Sequence, residues 1–288
     1  MFDVNPNILN QVLEHYENQP FLISEKRSWT FAGFMSEARL LSDSLMAESQ
    51  QRVYLSSENP ENLLKSMLAL WMHGAVAVPL NPQIPEKQKM EMLQKIGCTF
   101  SYTELLHEFK SHPTPENSLQ PNPVGNSDAV AGKEVNSINP KDWATIIFTS
   151  GSTGSPKAVV HSLANHFYNA LGANERMPLN PGDRWLLSLP MYHVSGLAIL
   201  FRTLLSGAAM VIPAKNVSLS KILLSRSVTH LSLVPTQLHR LLQTTKGKDA
   251  LCQLKLILLG GASIPETLIE QSAQLGLNVQ TTYGSKEM

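Results

Sequence analysis

Short apolar segments alternate with amphipathic segments through most of this chain, and this alternation limits the fold more than any other feature of the sequence. The segment from Asn62 has the apolar spacing of a helix that ends at Gly74, and residues 75–78 follow it as a short strand. The alternation resumes with a strand over residues 144–148 and continues almost to the last residue. Because helices that connect successive buried strands produce parallel sheets, we expect a doubly wound α/β fold.

A change in composition divides the chain. Residues 111–140 are rich in Pro, Asn, Ser and Gly and lack apolar periodicity, so we interpret them as a loop or linker. Residues 1–110 would then form a first α/β subdomain and residues 141–288 a second one. The last expected strand runs into Tyr283 with no helix after it, so we expect this edge to be capped by another segment or the chain to be a fragment.

Charge and composition argue against several functions. The chain has 23 Lys and Arg against 23 Asp and Glu, so its net charge of zero does not favour nucleic acid as a partner. Cys98 and Cys252 are far apart and suggest neither a metal site nor a disulfide framework. We find no signal-peptide pattern and no run of apolar residues long enough to span a membrane, and we therefore expect a cytoplasmic protein.

The segment Thr149–Lys157 reads Thr-Ser-Gly-Ser-Thr-Gly-Ser-Pro-Lys directly after an expected strand. Its glycines allow a tight turn that presents backbone N–H groups, and its hydroxyls and lysine would suit an oligophosphate. It differs from a Walker A loop, in which the lysine directly follows the second glycine. The alternative is an ordinary Gly/Ser-rich turn between a strand and a helix.

This nine-residue order resembles the signature of the adenylate-forming superfamily, which includes acyl-CoA synthetases, luciferases and peptide-synthetase adenylation domains. Further stretches resemble other landmarks of that family and extend the resemblance over essentially the whole chain: residues 69–82, 190–196, 234–236, 260–265 and 283–287. The resemblance implies the first two α/β subdomains of the family's N-terminal domain, without the barrel and C-terminal domain that would follow. It therefore also implies that this polypeptide alone is weak or inactive in full turnover.

The activity implied by the resemblance is ATP-dependent activation of a carboxylate to an acyl-AMP, followed by transfer to the thiol of CoA. The residues that match the family's nucleotide-binding positions are Thr149, Ser150, Gly151, Ser152, Thr153, Gly154, Lys157, Gly261, Ala262, Ser263 and Tyr283. Glu287 matches the carboxylate that binds Mg²⁺. Lys286 departs from the family, which has a small hydroxyl residue at that position.

His193 and Lys157 match positions expected to act in catalysis, and His193 also lies in the loop on the substrate side. The alternative for His193 is a structural, hydrogen-bonded histidine. The loop lacks the aspartate that binds the amino group in peptide-synthetase domains, so the resemblance disfavours amino acid substrates.

Arg202 lies in an almost wholly apolar helix, where its guanidinium must find an anion or reach solvent. A substrate with a second carboxylate would supply that anion; the alternatives are an arginine that reaches solvent or pairs with a protein carboxylate. Arg202, residues 187–196 and residues 232–242 together resemble the branch that activates o-succinylbenzoate, in which Ser232 would be a pocket hydroxyl.

Two other functions remain open at this point: another aryl- or medium-chain acyl-CoA ligase, and a non-catalytic module that binds an adenylate. The sequence also leaves open whether copies of the chain form a homo-oligomer.

Overall fold

The computed structural model describes residues 3–45, 47–101, 138–149, 156–282 and 284. The strands are β1 (Pro20–Ile23), β2 (Ser28–Thr30), β3 (Arg52–Leu55), β4 (Val76–Pro79), β5 (Phe100–Ser101), β6 (Trp143–Thr149), β7 (Lys157–Ser162), β8 (Arg184–Leu186), β9 (Ala209–Val211), β10 (His230–Leu233), β11 (Leu256–Leu259) and β12 (Val279–Thr281). The helices are α1 (Ile8–Tyr16), α2 (Phe31–Asp43), α3 (Pro60–Met72), α4 (Glu86–Lys95), α5 (Leu163–Arg176), α6 (Val194–Ser206), α7 (Leu219–Ser225), α8 (Pro235–Leu242), α9 (Thr245–Cys252) and α10 (Glu266–Gln274).

The strands form two sheets. One has the order β12-β11-β10-β8-β9-β1-β2 and the other the order β5-β3-β4-β6-β7. Neighbouring strands are parallel except for the hairpin β1–β2 and the pair β6–β7. The α/β class predicted from the alternation is therefore confirmed.

Three apolar clusters define the layers. The largest joins one face of each sheet to helices that include α2, α3, α5 and α6, so these helices pack between the sheets. A second cluster covers the other face of the seven-stranded sheet with α7 to α10, and a third places α4 on the outer face of the five-stranded sheet. Trp71 on α3 strengthens the central layer, since its indole Nε1 donates a hydrogen bond to the carbonyl of Ala144 at 2.7 Å.

The sheets do not follow the division drawn at residues 111–140. Most of that segment lies outside the described residues, and the division itself stays a prediction. However, β1 and β2 belong to the sheet built from β8 to β12, while β6 and β7 complete the sheet begun by β3 to β5. Each sheet thus combines strands from both sides of the segment.

The connection after β6 differs from the strand-to-helix turn considered for it. Residues 157–162 form the antiparallel strand β7, in which Val159 pairs with Ile147 and Val160 with Ile146. Branched residues such as these favour extended backbone. Thr149–Lys157 therefore connects two antiparallel strands, and α5 begins only at Leu163. In the described part of the chain, no helix has the length and apolar character needed to cross a bilayer.

Candidate active site

The carboxyl ends of strands from both sheets meet at a cleft of about 400 Å³. Ser57 follows β3, Asn81 follows β4, and Tyr192 lies in the connection after β8. The cleft is bridged at its surface by Lys215 and Glu58, whose charged atoms lie 3.5 Å apart. Ligands of open α/β sheets bind at the carboxyl ends of the strands, which makes this edge the candidate active site.

Three residues of the phosphate-loop signature are described by the structure: Thr149, Pro156 and Lys157. Thr149 at the end of β6 pairs in register with Lys157 at the start of β7, so a hydroxyl and an exposed ammonium flank the loop at its base. Ser150, Gly151, Ser152, Thr153 and Gly154 lie outside the described residues. A hydroxyl donor and a positive charge are the groups that an anion-binding loop would use at its base.

The turn predicted to lie beside adenine follows β11. Gly261 has a φ of +82°, which glycine adopts without strain. A Cβ on Gly260 would lie 2.8 Å from the carbonyl oxygen of Thr282, so only glycine allows Thr282 to approach this turn so closely. Ala262 and Ser263 are exposed beside it. Tyr283 and Glu287 lie outside the described residues, so their predicted positions at adenine and Mg²⁺ stay predictions.

His193 is the N-cap residue of α6 and is exposed. Its ring contacts that of Tyr192 edge to face, with centroids 4.8 Å apart. The loop is held tightly to the helix, because a Cβ on Gly196 would lie 2.2 Å from the carbonyl oxygen of Pro190. The structure thus places His193 on a loop whose neighbouring residues line the cleft.

Arg202 lies farther along α6 and is only 9% exposed. Its Cζ is 5.3 Å from the ring centroid of Trp185, and burial lowers the pKa of the guanidinium to about 10. The group therefore stays charged at neutral pH. Within the described ranges no carboxylate forms an ion pair with Arg202, and its Nε has no hydrogen-bond partner. Among the described residues no protein carboxylate pairs with this arginine, and the other alternative, contact with solvent, is limited to the 9% of its surface that is exposed.

Ser232 is buried on β10, and its Oγ accepts a hydrogen bond from Trp185 Nε1 at 3.1 Å. Arg202, Trp185 and Ser232 are therefore brought together, whereas His193 lies nine residues from Arg202, about 13 Å along a helix axis. No sequence pattern singled out Trp185. An aromatic residue in a buried strand could have signalled its position in the core, but not its contact with an arginine on the next helix.

Comparison with known proteins defines the class first. The AMP-binding enzyme family matches residues 9–288, so the chain belongs to this family. It is similar to a 2-succinylbenzoate–CoA ligase of Salmonella typhimurium, with 38% identity over 82% of this chain and 48% of the relative. A ligase of the same name from Staphylococcus aureus is 32% identical over 91% of this chain and 58% of the relative. The chain thus spans about half the length of the curated relatives it matches.

Solved structures agree with the sequence relatives. A lysine variant of Escherichia coli MenE with bound OSB-AMS matches with a TM-score of 0.79 and 28% identity, over 100% of this chain and 61% of that one. o-Succinylbenzoate CoA synthetase (MenE) from Bacillus subtilis, in complex with the acyl-adenylate intermediate OSB-AMP, matches with a TM-score of 0.77 and 25% identity, over 95% of this chain and 57% of that one. The resemblance to adenylate-forming enzymes predicted from the sequence is confirmed.

Proposed function

We propose that this chain forms the nucleotide and carboxylate sites of an AMP-forming ligase that activates o-succinylbenzoate with ATP and transfers the acyl group to CoA. Membership of the AMP-binding family and the names of the relatives support the reaction class. The choice of substrate is supported by the environment of Arg202, which is a buried cation with no anionic partner among the described residues. A substrate with a second, non-reacting carboxylate would provide that partner.

The reaction has two steps. A carboxylate oxygen of the substrate attacks the α-phosphorus of ATP, and pyrophosphate leaves to give the acyl-AMP. The sulfur of CoA then attacks the acyl carbon, its proton is lost, and AMP leaves. Both steps redistribute negative charge on phosphate oxygens, which fixed donors and cations stabilise.

The proposed roles follow the family resemblance, and placement supports them where the structure describes the residue. Lys157 and Thr149 flank the phosphate loop and would bind the β- and γ-phosphates together with the loop residues Ser150 to Gly154. Gly261, Ala262, Ser263 and Tyr283 would hold the adenine. His193, at the start of α6, would orient the reacting carboxylate or the adenylate through its imidazole ring.

Glu287 would hold Mg²⁺, for which a carboxylate oxygen is a suitable donor. When bound, the ion would neutralise charge on the phosphates of ATP. Glu287 lies outside the described residues, so its suitability rests on the chemistry of the carboxylate.

Calorimetric titration with two nonhydrolysable analogues tests the substrate, since binding does not require turnover. We expect o-succinylbenzoyl-sulfamoyl-adenosine to bind more tightly than the octanoyl analogue, and Arg202→Ala to remove this preference. Arg240→Ala is the matched control: Arg240 is exposed on α8, which packs on the opposite face of the seven-stranded sheet. An unchanged preference in Arg202→Ala would contradict the pairing, and a wild-type preference for the octanoyl compound would favour a general acyl-CoA ligase.

A further inference from the structure

Trp185 is a fully buried residue beside the proposed carboxylate partner. It lies on β8 between β9 and β10, in register with Met210 and His230, and is 0% exposed. Its ring faces the central layer, where Arg202 places its Cζ 5.3 Å from the ring centroid. This distance is within the range of a cation–π interaction, for which tryptophan is the most favourable ring.

The indole ring is itself held in place. Its Nε1 donates to Ser232 Oγ at 3.1 Å, and the His230 ring lies beside it with a centroid distance of 5.3 Å. The backbone carbonyl of Ser232 accepts a hydrogen bond from Ser188 Oγ. Ser188 also lines the cleft, so hydrogen bonds through Ser232 connect the cleft wall to the Trp185 ring that contacts Arg202.

The guanidinium has few other contacts that would fix its direction. Among the described residues its Nε has no hydrogen-bond partner, and no ion pair holds it. A long arginine side chain has many rotamers, and stacking its planar group on an aromatic face removes much of that freedom. The indole thus provides the orientation that a protein carboxylate would otherwise provide, and leaves the N–H groups available to a ligand.

We propose that Trp185 is a positioning residue for substrate selection, which holds Arg202 ready to bind the non-reacting carboxylate, and that Ser232 acts through Trp185 by fixing its ring. This inference rests on the proposed function, because it requires a substrate carboxylate at Arg202. It also gives Ser232 a different role from that of a pocket hydroxyl in direct contact with the substrate.

The test compares two adenylate analogues that differ only in the carboxylate. One is o-succinylbenzoyl-sulfamoyl-adenosine, and the other carries hydrogen in place of the ring carboxylate. Trp185→Phe should weaken binding of the first by about 5- to 30-fold, the range of a desolvated cation–π contact. Binding of the second should change less than about twofold, because it has no group for Arg202 to bind.

Ser232→Ala provides a second variant with a smaller change in volume. It should selectively weaken binding of the carboxylate-bearing analogue, and should have no further effect once Trp185→Phe is present. Trp71→Phe is the matched control. Like Trp185, Trp71 is buried and donates a hydrogen bond from its indole N–H, but the cation–π contact of Arg202 is with Trp185. It should lower thermal stability without changing the ratio of the two affinities.

The outcomes separate the two proposals. If the wild-type chain does not distinguish the analogues, the proposed substrate is wrong and the positioning role fails with it. If Arg202→Ala removes the distinction but Trp185→Phe and Ser232→Ala do not, the substrate stands and the positioning role is overturned. Equal losses for both analogues, or additive losses in the double variant, would also overturn it.

Discussion

His166 is a buried titratable residue whose environment has a direct consequence for stability. It stacks on Phe201 with a centroid distance of 4.6 Å, and its Nε2 lies 3.2 Å from Thr145 Oγ1. Burial, followed by repulsion from His161, lowers the pKa of His166 to about 3. The unfolded chain therefore binds a proton more readily than the folded chain, and stability falls as the pH drops below the unfolded pKa of about 6.5.

We predict that between pH 6.5 and pH 3.5 this single group costs about 4 kcal/mol of unfolding free energy. Urea unfolding at several pH values across this range would measure how the free energy of unfolding changes with pH. His166→Gln removes the titrating group and should weaken the dependence of the unfolding free energy on pH. The variant also loses the stacking on Phe201 at every pH. A variant with the same pH slope as the wild-type chain would show that His166 does not titrate in this way.

Arg202 shows how far single residues could be understood from the sequence. Its position in an apolar helix indicated that the guanidinium must find an anion or reach solvent, and the structure places the side chain in the interior. The sequence could not reveal that the guanidinium rests against Trp185, because the rotation of a helix relative to a strand is set by packing across the layer. Ser232, in contrast, was predicted by resemblance alone, and its hydrogen bond from Trp185 became visible only in three dimensions.

The position of the loop before α6 depends on one glycine. A methyl group on Gly196 would lie 2.2 Å from the carbonyl oxygen of Pro190, so the backbone of the His193 loop would have to move. Gly196→Ala should therefore destabilise the chain by about 1 to 3 kcal/mol and weaken binding of the adenylate analogue.

Gly172→Ala is the matched control for that variant. Gly172 lies inside α5, and a Cβ there would meet no atom within 4 Å. Replacing a helical glycine by alanine should stabilise the chain by up to about 1 kcal/mol and leave binding unchanged. Denaturant unfolding and calorimetry of both variants would check the pair; equal stability in the two would contradict the argument from close contact.

At the amino ends of the strands, Asp183 links β8 to β11. Its carboxylate is buried and accepts hydrogen bonds from Lys255 Nζ at 2.6 Å and from the N–H of Asn180 at 3.0 Å. Burial raises the pKa of Asp183, but these hydrogen bonds together with the nearby charges of His230 and Lys255 outweigh it, and the pKa lies below its usual value. Asp183→Asn should destabilise the chain by about 2 kcal/mol, the scale of a charged hydrogen bond. Asp142→Asn, at an exposed position, should change stability by less than about 0.5 kcal/mol in the same urea unfolding experiment.

Most of the elements after residue 140 were predictable because each has a clear apolar period and a turn at its end. The exceptions are α9, which was not predicted, and β7, which ends at Ser162, the N-cap of α5. No glycine or proline separates this strand from this helix, so periodicity alone could not mark the boundary. This difference bears on the proposed phosphate site, because Lys157 lies on a strand paired with β6 and not on a helix.

For the whole molecule, the arrangement of the sheets has a testable consequence for the segment 111–140. Two independent subdomains would each contain a complete sheet. Instead, Leu22 of β1 pairs with Met210 of β9, and Ala77 of β4 pairs with Thr145 of β6. The central apolar cluster also includes residues from both sides of the segment. Composition could mark the segment, but it could not show which strands pair across it.

We therefore predict that cutting the backbone within this segment leaves the two pieces associated. A specific protease site inserted after Gly125 would allow the cut, and size-exclusion chromatography would then show one species with the size of the intact chain. The same sample in urea should separate into two fragments, which verifies that cleavage was complete. Separation under native conditions would support independent subdomains at residues 1–110 and 141–288. Co-elution with a single thermal transition would mean that each part needs strands of the other to complete its sheet, and that the candidate cleft exists only in the joined structure.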